Sequence, residues 1–256
     1  MSDPYVIWTM RRTGGTTLAT LLSLLSEHPR VQHEPFNTDR KFGQVTKDFL
    51  ESASKRKLRA ALLECLAPRP VIKHCYELIN PVFNATLMQV TTELGYRHII
   101  LDRHNETDRI ASLGVAQLTG VWGRDEAQQK YPAIEAGEVV MAPMDANHAK
   151  HQLQLCHQRR LELAKLTARA KPAPFVVYFE DIYTDPQAGR ALIERLLAYL
   201  GVRPQDFANY DQLVEDALLG RDQKSRRVFQ AVPNFEQVCA DLDALQKGRK
   251  RVFVAS

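Results

Sequence analysis

The sequence has few cysteines, and they lie far apart. The four are Cys65, Cys75, Cys156 and Cys239, and no two of them form a C-x-x-C pair. Zinc sites and the disulfide frameworks of small secreted domains need closely spaced cysteines, so we expect neither in this chain. The pattern is typical of a reducing compartment, and we expect a cytoplasmic protein.

Long apolar segments are also missing. No stretch of the sequence approaches the roughly 20 apolar residues that a membrane-spanning helix needs. Residues 1–4 lack the basic and apolar regions of a signal peptide and lead directly into a short apolar segment. We therefore expect no integral membrane association.

Positive charge is only in small excess. The 34 lysines and arginines outnumber the 30 acidic residues, which gives a formal net charge of +4. Two basic segments near the C-terminus, residues 221–227 and 247–251, contain no aromatic side chains that could stack on bases. The sequence thus argues against a nucleic-acid partner, whereas a mildly basic protein suits a small anionic ligand.

Short apolar segments alternate with helical patterns along the chain. The predicted strands are residues 5–10, 71–75, 98–101 and 175–179, and residues 31–34 form either a further strand or an extended loop. The predicted helices are residues 16–26, with Pro29 as its stop, and residues 44–65, 81–94, 108–118, 148–170, 187–200 and 236–247. This alternation predicts an α/β fold, a three-layer sandwich with a central parallel sheet, in a single domain over residues 1–256. We expect residues 123–147 to form a lid or insertion and residues 220–256 to form a basic C-terminal segment.

Two glycines follow the first predicted strand. Gly14 and Gly15 come directly after a basic and hydroxyl-bearing segment, residues 11–13, and precede a segment with helical leucine spacing, residues 18–25. The turn therefore lies at a helix N-terminus, where unpaired N–H groups and the helix dipole favour an anion. Glycines allow close approach of the backbone, while arginines and threonine hydroxyls add donors. This pattern predicts a binding site for a phosphate-like group.

The loop lacks the lysine of nucleotide triphosphatases. Their phosphate loop reads G-x-x-x-x-G-K-[ST], whereas Gly15 is followed here by Thr16 and no glycine stands five residues before it. That lysine contacts the β- and γ-phosphates, so we do not expect hydrolysis of ATP or GTP.

Residues 12–18, with the sequence RTGGTTL, resemble the 5′-phosphosulfate loop of sulfotransferases, [KR]-[ST]-G-[GST]-T-x-L. These enzymes use 3′-phosphoadenosine 5′-phosphosulfate (PAPS) as donor, and the loop and arginines supply charge without a metal. The resemblance implies a P-loop-NTPase-like sulfotransferase fold in which Arg12 neutralises the leaving phosphate. It also implies that Gly15, where many relatives have serine or threonine, leaves one hydroxyl contact missing. The residues expected to bind PAPS in this loop are Arg11, Arg12, Thr13, Gly14, Gly15, Thr16 and Thr17.

A second segment resembles the part of that family that binds the 3′-phosphate. Arg103 follows a predicted strand and Ser112 lies on the next predicted helix, in the pattern R-x-N-x-x-x-R-x-x-S. An arginine at the carboxyl end of a parallel strand faces the crevice where α/β sheets bind ligands, and it can bind a phosphate with two nitrogens. The resemblance implies that both residues hold the 3′-phosphate.

Two further segments resemble the family less specifically. Residues 177–182, VYFEDI, are similar to its v-x-Y-E-D-L segment with Phe179 inserted. Residues 224–227, KSRR, followed by residues 234–236, resemble a basic loop that closes over the nucleotide. A core strand and a solvated basic loop explain these two segments as well. The contacts implied by the basic loop come from Lys224, Arg226 and Arg227.

Sulfuryl transfer needs a base for the acceptor proton, and three residues are candidates. Glu34 resembles the glutamate of carbohydrate and bacterial sulfotransferases, and Pro35 biases it to extended geometry. His74 is similar to the histidine of the K-x-H pattern in cytosolic sulfotransferases, but Lys73 is adjacent to it here, so a regular strand points the two to opposite faces. His33 is the third candidate. Glu34 is favoured, and Lys73 is expected to steady the donor sulfate or the acceptor.

The resulting prediction is transfer of a sulfuryl group from PAPS to a hydroxyl of a carbohydrate or other small alcohol, with 3′-phosphoadenosine 5′-phosphate (PAP) as product. We expect the acceptor to contact variable loops, residues 36–47 and 123–147. The alternatives are a nucleotide kinase-like phosphotransferase and a non-catalytic nucleotide-binding protein on the same scaffold. The last of these predicts PAP binding without turnover.

Overall fold

The computed structural model describes residues 2–28, 30–168, 170–219 and 225–256, apart from the side chains of residues 124, 225 and 226. The chain folds into two compact units. The first comprises Met1–His104, Arg159–Gly220 and Val252–Ser256, and the second comprises Asn105–Gln158 and Arg221–Arg251.

Five parallel strands form the central sheet of the first unit. In chain order they are β1 (Tyr5–Thr9), β2 (Val31–His33), β3 (Val71–Cys75), β4 (Arg97–Asp102) and β5 (Phe175–Tyr178). Their order across the sheet is β2-β3-β1-β4-β5, and every neighbouring pair runs parallel. All residues of β1, β3 and β5 are buried, as expected for strands covered on both faces. The predicted α/β fold with a parallel sheet is confirmed.

Helices connect and cover these strands. In chain order they are α1 (Gly15–Leu24), α2 (Gly43–Ser52), α3 (Lys55–Leu66), α4 (Pro81–Glu93), α5 (Glu106–Thr119), α6 (Arg124–Glu135), α7 (Ala146–Thr167), α8 (Phe179–Tyr183), α9 (Pro186–Tyr199), α10 (Tyr210–Leu219), α11 (Ser225–Gln230) and α12 (Phe235–Gln246). Among the described residues, no helix is both long and apolar enough to cross a membrane.

The sheet has helices on both faces, as in a three-layer sandwich. On one face, Ile7 of β1 belongs to an apolar cluster with residues of α1 and α9. On the opposite face, His74 of β3 packs against the ring of Phe36, which in turn contacts Phe83 of α4. Burial on both faces fixes the strands relative to the helices that follow them, and hence the loops at the carboxyl edge of the sheet.

The second unit is helical. It contains α5, α6, the first part of α7, α11 and α12, and α7 continues into the first unit from Arg159. The side-chain amide of Asn234 accepts from the backbone nitrogen of Met144 and donates to its backbone oxygen, both at 2.8 Å. Lys150 of α7 pairs with Asp241 of α12 at 2.7 Å. These contacts join segments that are about 90 residues apart in sequence into one unit.

The pattern over residues 44–65 predicts one helix, and the structure has two. Ala53 adopts a left-handed conformation with φ 49° and ends α2, and the hydroxyl of Ser54 then caps α3. The amphipathic pattern continues across this break because α2 and α3 both face the core. A serine that caps a helix is a recognisable start signal, but the charged residues around it obscured the break.

Residues 123–147, the predicted lid or insertion, contain α6 despite Pro132 inside that helix. Its polar composition and its proline conceal the helical pattern. α10 is a further helix that the sequence patterns do not predict. α1 ends at Leu24, and its predicted stop, Pro29, lies outside the described residues.

Candidate functional site

The strand order places a crevice beside β1. The chain leaves β1 toward β2 on one side of the sheet and leaves β4 toward β5 on the other side. Ligands of open α/β sheets bind outside the carboxyl ends of the strands at such a switch point. The loop between β1 and α1, residues 10–14, and Arg103 after β4 both lie at these strand ends.

The loop between β1 and α1 turns through two left-handed residues, Arg12 at φ 64° and Gly14 at φ 78°. Gly14 adopts this conformation at no steric cost, whereas it is uncommon for a residue with a β-carbon and is typical of functional sites. Within the described residues, no side chain caps α1 and its first turn has no acidic residue. The positive end of this helix dipole therefore faces the crevice without a carboxylate cap.

The hydroxyl of Thr13 stabilises the loop itself. Thr13 is buried, and its Oγ1 donates to the backbone oxygen of Met10 at 2.7 Å and contacts Oγ1 of Thr9. Thr16 is exposed and Thr17 is half-buried in the first turn of α1. Of the three threonines, the two on the helix are thus the ones placed to donate to a ligand.

Arg11 is anchored to the segment after β3. Its Nε and its backbone nitrogen both donate to Oε1 of Glu77, at 2.7 and 2.9 Å. The side chain of Glu77 is 2% exposed and that of Arg11 is 22% exposed, so the carboxylate is buried and the arginine is partly open to solvent. Arg11 therefore holds the loop in place, and its predicted contact with PAPS stays a prediction.

Gly15 leaves room for a lysine. A β-carbon on Gly15 would lie 3.2 Å from Cγ2 of Thr9 and 3.3 Å from Cδ of Lys73. A serine or threonine at this position would therefore need Thr9 or the stem of Lys73 to shift by a few tenths of an ångström. Glycine avoids this crowding at a position where the resemblance leads one to expect a hydroxyl.

Lys73 joins three elements at the crevice. Its Nζ lies 2.7 Å from Oε1 of Glu34, which follows β2, and donates to Oγ1 of Thr16 on α1 at 3.3 Å. The side chain of Lys73 is 9% exposed and that of Glu34 is 23% exposed, so solvent reaches the carboxylate more than the ammonium. Lys73 thus brings to the first turn of α1 a lysine, which the loop sequence itself lacks.

Glu34 does not have the extended geometry that Pro35 favours. Its φ is 50°, in the left-handed region. A backbone hydrogen bond of 2.7 Å to the oxygen of Lys73 and one of 3.0 Å from the nitrogen of Asn37 hold it there. Local bias from proline is outweighed because these bonds continue the β2–β3 ladder and start a turn.

The two histidine candidates lie in different surroundings. His74 is 1% exposed, its Nε2 donates to Oδ1 of Asn84 at 2.7 Å, and its ring packs edge-on against Trp8 at 5.0 Å. Burial lowers its pKa from the ordinary 6.5 to about 4. His74 is therefore a neutral core residue that a substrate cannot reach, and it is removed from the candidate bases. The pKa of His33 is also lowered, first by partial burial and then by the charge of Lys73.

The contacts of Lys73 and His74 follow from strand geometry. Lys73 is in register with Ile7 and His74 with Trp8, and adjacent residues of a strand point to opposite faces. Lys73 consequently reaches α1, and His74 packs into the other layer. The prediction that a regular strand points the two side chains to opposite faces is confirmed.

Arg103 connects the loops after β4 and β1. Its Nη1 donates to the backbone oxygen of Arg12 at 3.3 Å, and its Nε lies 3.3 Å from Oε1 of Glu180. The guanidinium also lies 4.3 Å from the ring centroid of Phe179, a cation–π distance. The structure therefore brings the first sequence-predicted anion loop and Arg103 together.

The segment after β5 supports the segment after β4. Oε2 of Glu180 accepts from the backbone nitrogen of His104 at 2.8 Å. The ring of His104 stacks on Tyr178 at 4.0 Å, and its Nε2 lies 2.8 Å from Oδ1 of Asp181. The Y-F-E-D segment thus supplies two carboxylates that fix the backbone next to Arg103.

A buried ion pair holds the end of β4. Both Nε and Nη2 of Arg160 donate to the carboxylate of Asp102, at 2.7 and 2.8 Å, and the two side chains are 9% and 5% exposed. Oδ1 of Asp102 also accepts from the backbone nitrogen of Arg103 at 2.9 Å. Such a bidentate pair fixes the orientation of the Asp102 carboxylate, which in turn holds the backbone of Arg103 at the start of the loop after β4.

Two further predicted residues, Ser112 and Arg227, belong to the second unit. Ser112 lies within α5 and is buried, and Arg227 lies on α11 with an exposed side chain. Lys224 lies outside the described residues, and so does the side chain of Arg226. Their predicted contacts with the nucleotide stay predictions.

Sequence patterns alone missed several residues of the site. Glu77, Glu180 and Arg160 carry ion pairs that only the fold brings together, across separations of 58 to 77 residues. Asn37 was also missed, although the sequence contains a signal for its contact with Glu34. It stands three residues after Glu34, a spacing that allows a turn to bring the two side chains together.

The arrangement can bind and polarise an anion. Arginine and lysine side chains lie at a helix N-terminus, and each of the described cations Arg11, Lys73 and Arg103 is held in place by a glutamate. Comparison of the chain with protein-family models, with curated proteins and with solved structures finds no match, so the function is argued from these contacts.

Proposed function

We propose that this protein is a PAPS-dependent sulfotransferase with a P-loop-like sulfotransferase fold. The main support for this proposal is a cluster of three side chains at the N-terminus of α1, in which Lys73 contacts both Glu34 and Thr16. Transfer of an anionic sulfuryl group needs a positive site for the group and a base for the acceptor, and these residues supply both. The adjoining loop has the sequence RTGGTTL and contains two left-handed residues, which supports the same function.

The donor would bind through the loop and Arg103. The N–H groups of the first turn of α1 and the guanidinium of Arg12 suit the 5′-phosphosulfate, because a helix N-terminus attracts an anion. Arg103, held against Phe179 and Glu180, suits the 3′-phosphate. Ser112 stays a sequence prediction for that phosphate.

The reaction forms a bond from the acceptor oxygen to sulfur and breaks the bond from sulfur to the bridging phosphate oxygen. Glu34 takes the proton of the acceptor hydroxyl, and the electron pair of the broken bond stays on the leaving phosphate. Arg12 and the backbone N–H groups stabilise the charge that builds there. Lys73, between Glu34 and Thr16, is placed to attract the oxygens of the sulfuryl group. The products are a sulfate ester and PAP.

A nucleotide kinase-like phosphotransferase is the second candidate. The contact between Lys73 and Thr16 favours it, because a lysine at the first turn of α1 serves a terminal phosphate as well as a sulfuryl group. The two candidates differ in their donors. A kinase would bind ATP with magnesium, whereas a sulfotransferase would recognise the 3′-phosphate of PAP.

Calorimetric titration with PAP, with ATP in the presence and absence of magnesium, and with 2′,5′-ADP tests the proposal. The last compound differs from PAP only in the position of one phosphate and is the matched control. We expect micromolar binding of PAP and much weaker binding of the other nucleotides. Transfer of labelled sulfate from PAPS to sugars and small alcohols then tests turnover. Tighter binding of ATP than of PAP would contradict the proposal, and PAP binding without turnover on any acceptor would indicate a non-catalytic binder.

A further inference from the structure

The backbone of Glu34 is held in an uncommon conformation. A φ of 50° is costly for a residue with a β-carbon, and Pro35 after it further restricts the backbone. Such a conformation persists where surrounding contacts over-determine it. Here the backbone nitrogen of Glu34 donates to the backbone oxygen of Lys73, and the backbone oxygen of Glu34 accepts from the backbone nitrogen of Asn37.

Asn37 lies in a chain of turns that leads into α2. Its backbone nitrogen donates to the backbone oxygen of Glu34 at 3.0 Å, and its backbone oxygen accepts from the backbone nitrogen of Arg40 at 2.8 Å. The backbone oxygen of Arg40 in turn accepts from the backbone nitrogen of Gly43 at 2.9 Å. A β-carbon on Gly43 would lie 2.5 Å from the oxygen of Asn37. Only glycine fits at this position, so the start of α2 packs directly on the backbone of Asn37 and fixes it.

The carboxylate of Glu34 is held at both oxygens. Oε1 takes a charge-assisted hydrogen bond from Lys73 at 2.7 Å, and Oε2 accepts from Nδ2 of Asn37 at 3.0 Å. The terminal torsion of a glutamate is broad, so a bond to one oxygen alone leaves the carboxylate plane free to turn. A second bond, from a residue whose own backbone is fixed, sets that plane. Each oxygen keeps a further lone pair, so the carboxylate can still accept a proton.

We propose that Asn37 is the positioning residue for Glu34, and that it sets the direction in which the carboxylate receives the acceptor proton. This inference rests on the proposed function, in which Glu34 is the base. Asn37 suits the role because it is neutral: its amide orients the carboxylate by a hydrogen bond and adds no further charge beside Lys73.

Kinetics of Asn37→Ala test the inference. We expect kcat to fall by about 10- to 100-fold, the scale that a misplacement of about 1 Å costs, while KM for the acceptor and Kd for PAP stay within about twofold of wild type. The kcat of Asn37→Asp should fall further, because a carboxylate in this place repels that of Glu34. The matched control is Gln89→Ala, which removes an amide-to-carboxylate bond of the same 3.0 Å length to Glu93 on the exposed side of α4. Wild-type kcat in Asn37→Ala, or a parallel loss of PAP binding, would overturn the inference.

Crystal structures of wild type and Asn37→Ala give a readout that needs no activity. We expect the Glu34 carboxylate to turn away from its wild-type position in the variant. If it turns while the wild-type protein shows no sulfuryl transfer, the positioning role stands and the proposed function fails. If the wild type is active and the carboxylate stays in place, the proposed function stands and the role of Asn37 is wrong.

Discussion

Removing Arg160 tests whether the end of β4 depends on a buried ion pair. Its guanidinium makes two hydrogen bonds of 2.7 and 2.8 Å to Asp102, and both side chains are almost fully buried. Arg160→Ala leaves the carboxylate of Asp102 without this partner in a site that water hardly reaches. Breaking a buried pair on one side costs about 3–5 kcal/mol, because the remaining charge has lost its compensation.

The neighbouring Arg159 provides the matched control. It lies on the same helix and in the same unit, and it pairs at 2.9 Å with Glu162 three residues later, with side chains 19% and 30% exposed. A pair of this kind on a helix surface contributes about 0.3–0.5 kcal/mol. Arg159→Ala and Arg160→Ala remove the same side chain from consecutive positions, so their difference compares a buried two-bond pair with a single, more exposed pair on the helix.

Urea unfolding followed by circular dichroism measures both variants. With a slope of about 3 kcal/mol per molar urea, the loss expected for Arg160→Ala moves the midpoint down by about 1 M or more, and Arg159→Ala moves it by about 0.2 M or less. A difference between the two variants below about 1 kcal/mol would refute the reasoning, because it would mean that burial adds nothing to the pair.

Three further predictions concern the site and its surroundings. Arg12→Ala and Arg103→Ala should each weaken PAP binding by at least about 1.5 kcal/mol, the scale of a charge-assisted hydrogen bond, and unchanged affinity in both variants would contradict the assigned site. Glu34→Gln keeps the size of the base but not its charge, so turnover should fall about 100-fold while PAP still binds, and wild-type turnover would exclude Glu34 as the base. Because burial lowers the pKa of His74 from 6.5 to about 4, the unfolded chain takes up a proton that the folded protein excludes, and stability should fall as the pH drops below 6.5. This contribution amounts to about 2 kcal/mol between pH 7 and pH 5, and His74→Gln should remove it from the pH dependence of urea unfolding; the same dependence in both proteins would show that His74 is not the cause.

The sheet could be predicted because its strands carry a strong signal. β3 has the predicted bounds, residues 71–75, and β1 and β5 each differ from prediction by one residue. Strands that are buried on both faces read as short apolar segments, and turn or helix signals limit their ends. The start of α9 was equally clear, since Asp185 caps it and Pro186 occupies its first position.

The helices that prediction missed have weak or conflicting signals. α6 has a proline inside it, and its polar surface offers little amphipathic pattern. Between α2 and α3, the chain turns at Ala53, a residue whose left-handed conformation no propensity rule foresees. These features depend on tertiary packing, which local sequence cannot supply.

In the site, strand alternation was the most reliable guide. It separated Lys73 from His74 correctly, because neighbouring residues of a regular strand must point apart. The extended backbone geometry that Pro35 predicts for Glu34 is wrong, because backbone hydrogen bonds with Lys73 and Asn37 hold Glu34 in a left-handed conformation. The ion pairs of the crevice could not be predicted, since each joins residues that lie about 40 or more positions apart in the sequence.

The ion pairs also indicate how a mildly basic protein can bind an anion with selectivity. A bare cluster of cations would repel itself and attract any anion, whereas cations paired with carboxylates are fixed in position at little net charge. The pairs differ in access: the partner of Arg11 is 2% exposed, but Glu34, the partner of Lys73, is 23% exposed. In the first pair solvent reaches the arginine rather than the carboxylate, and in the second it reaches the carboxylate more than the lysine. The carboxylate of Glu34, within reach of solvent and held by Lys73 and Asn37, is therefore placed as the base of the proposed reaction requires.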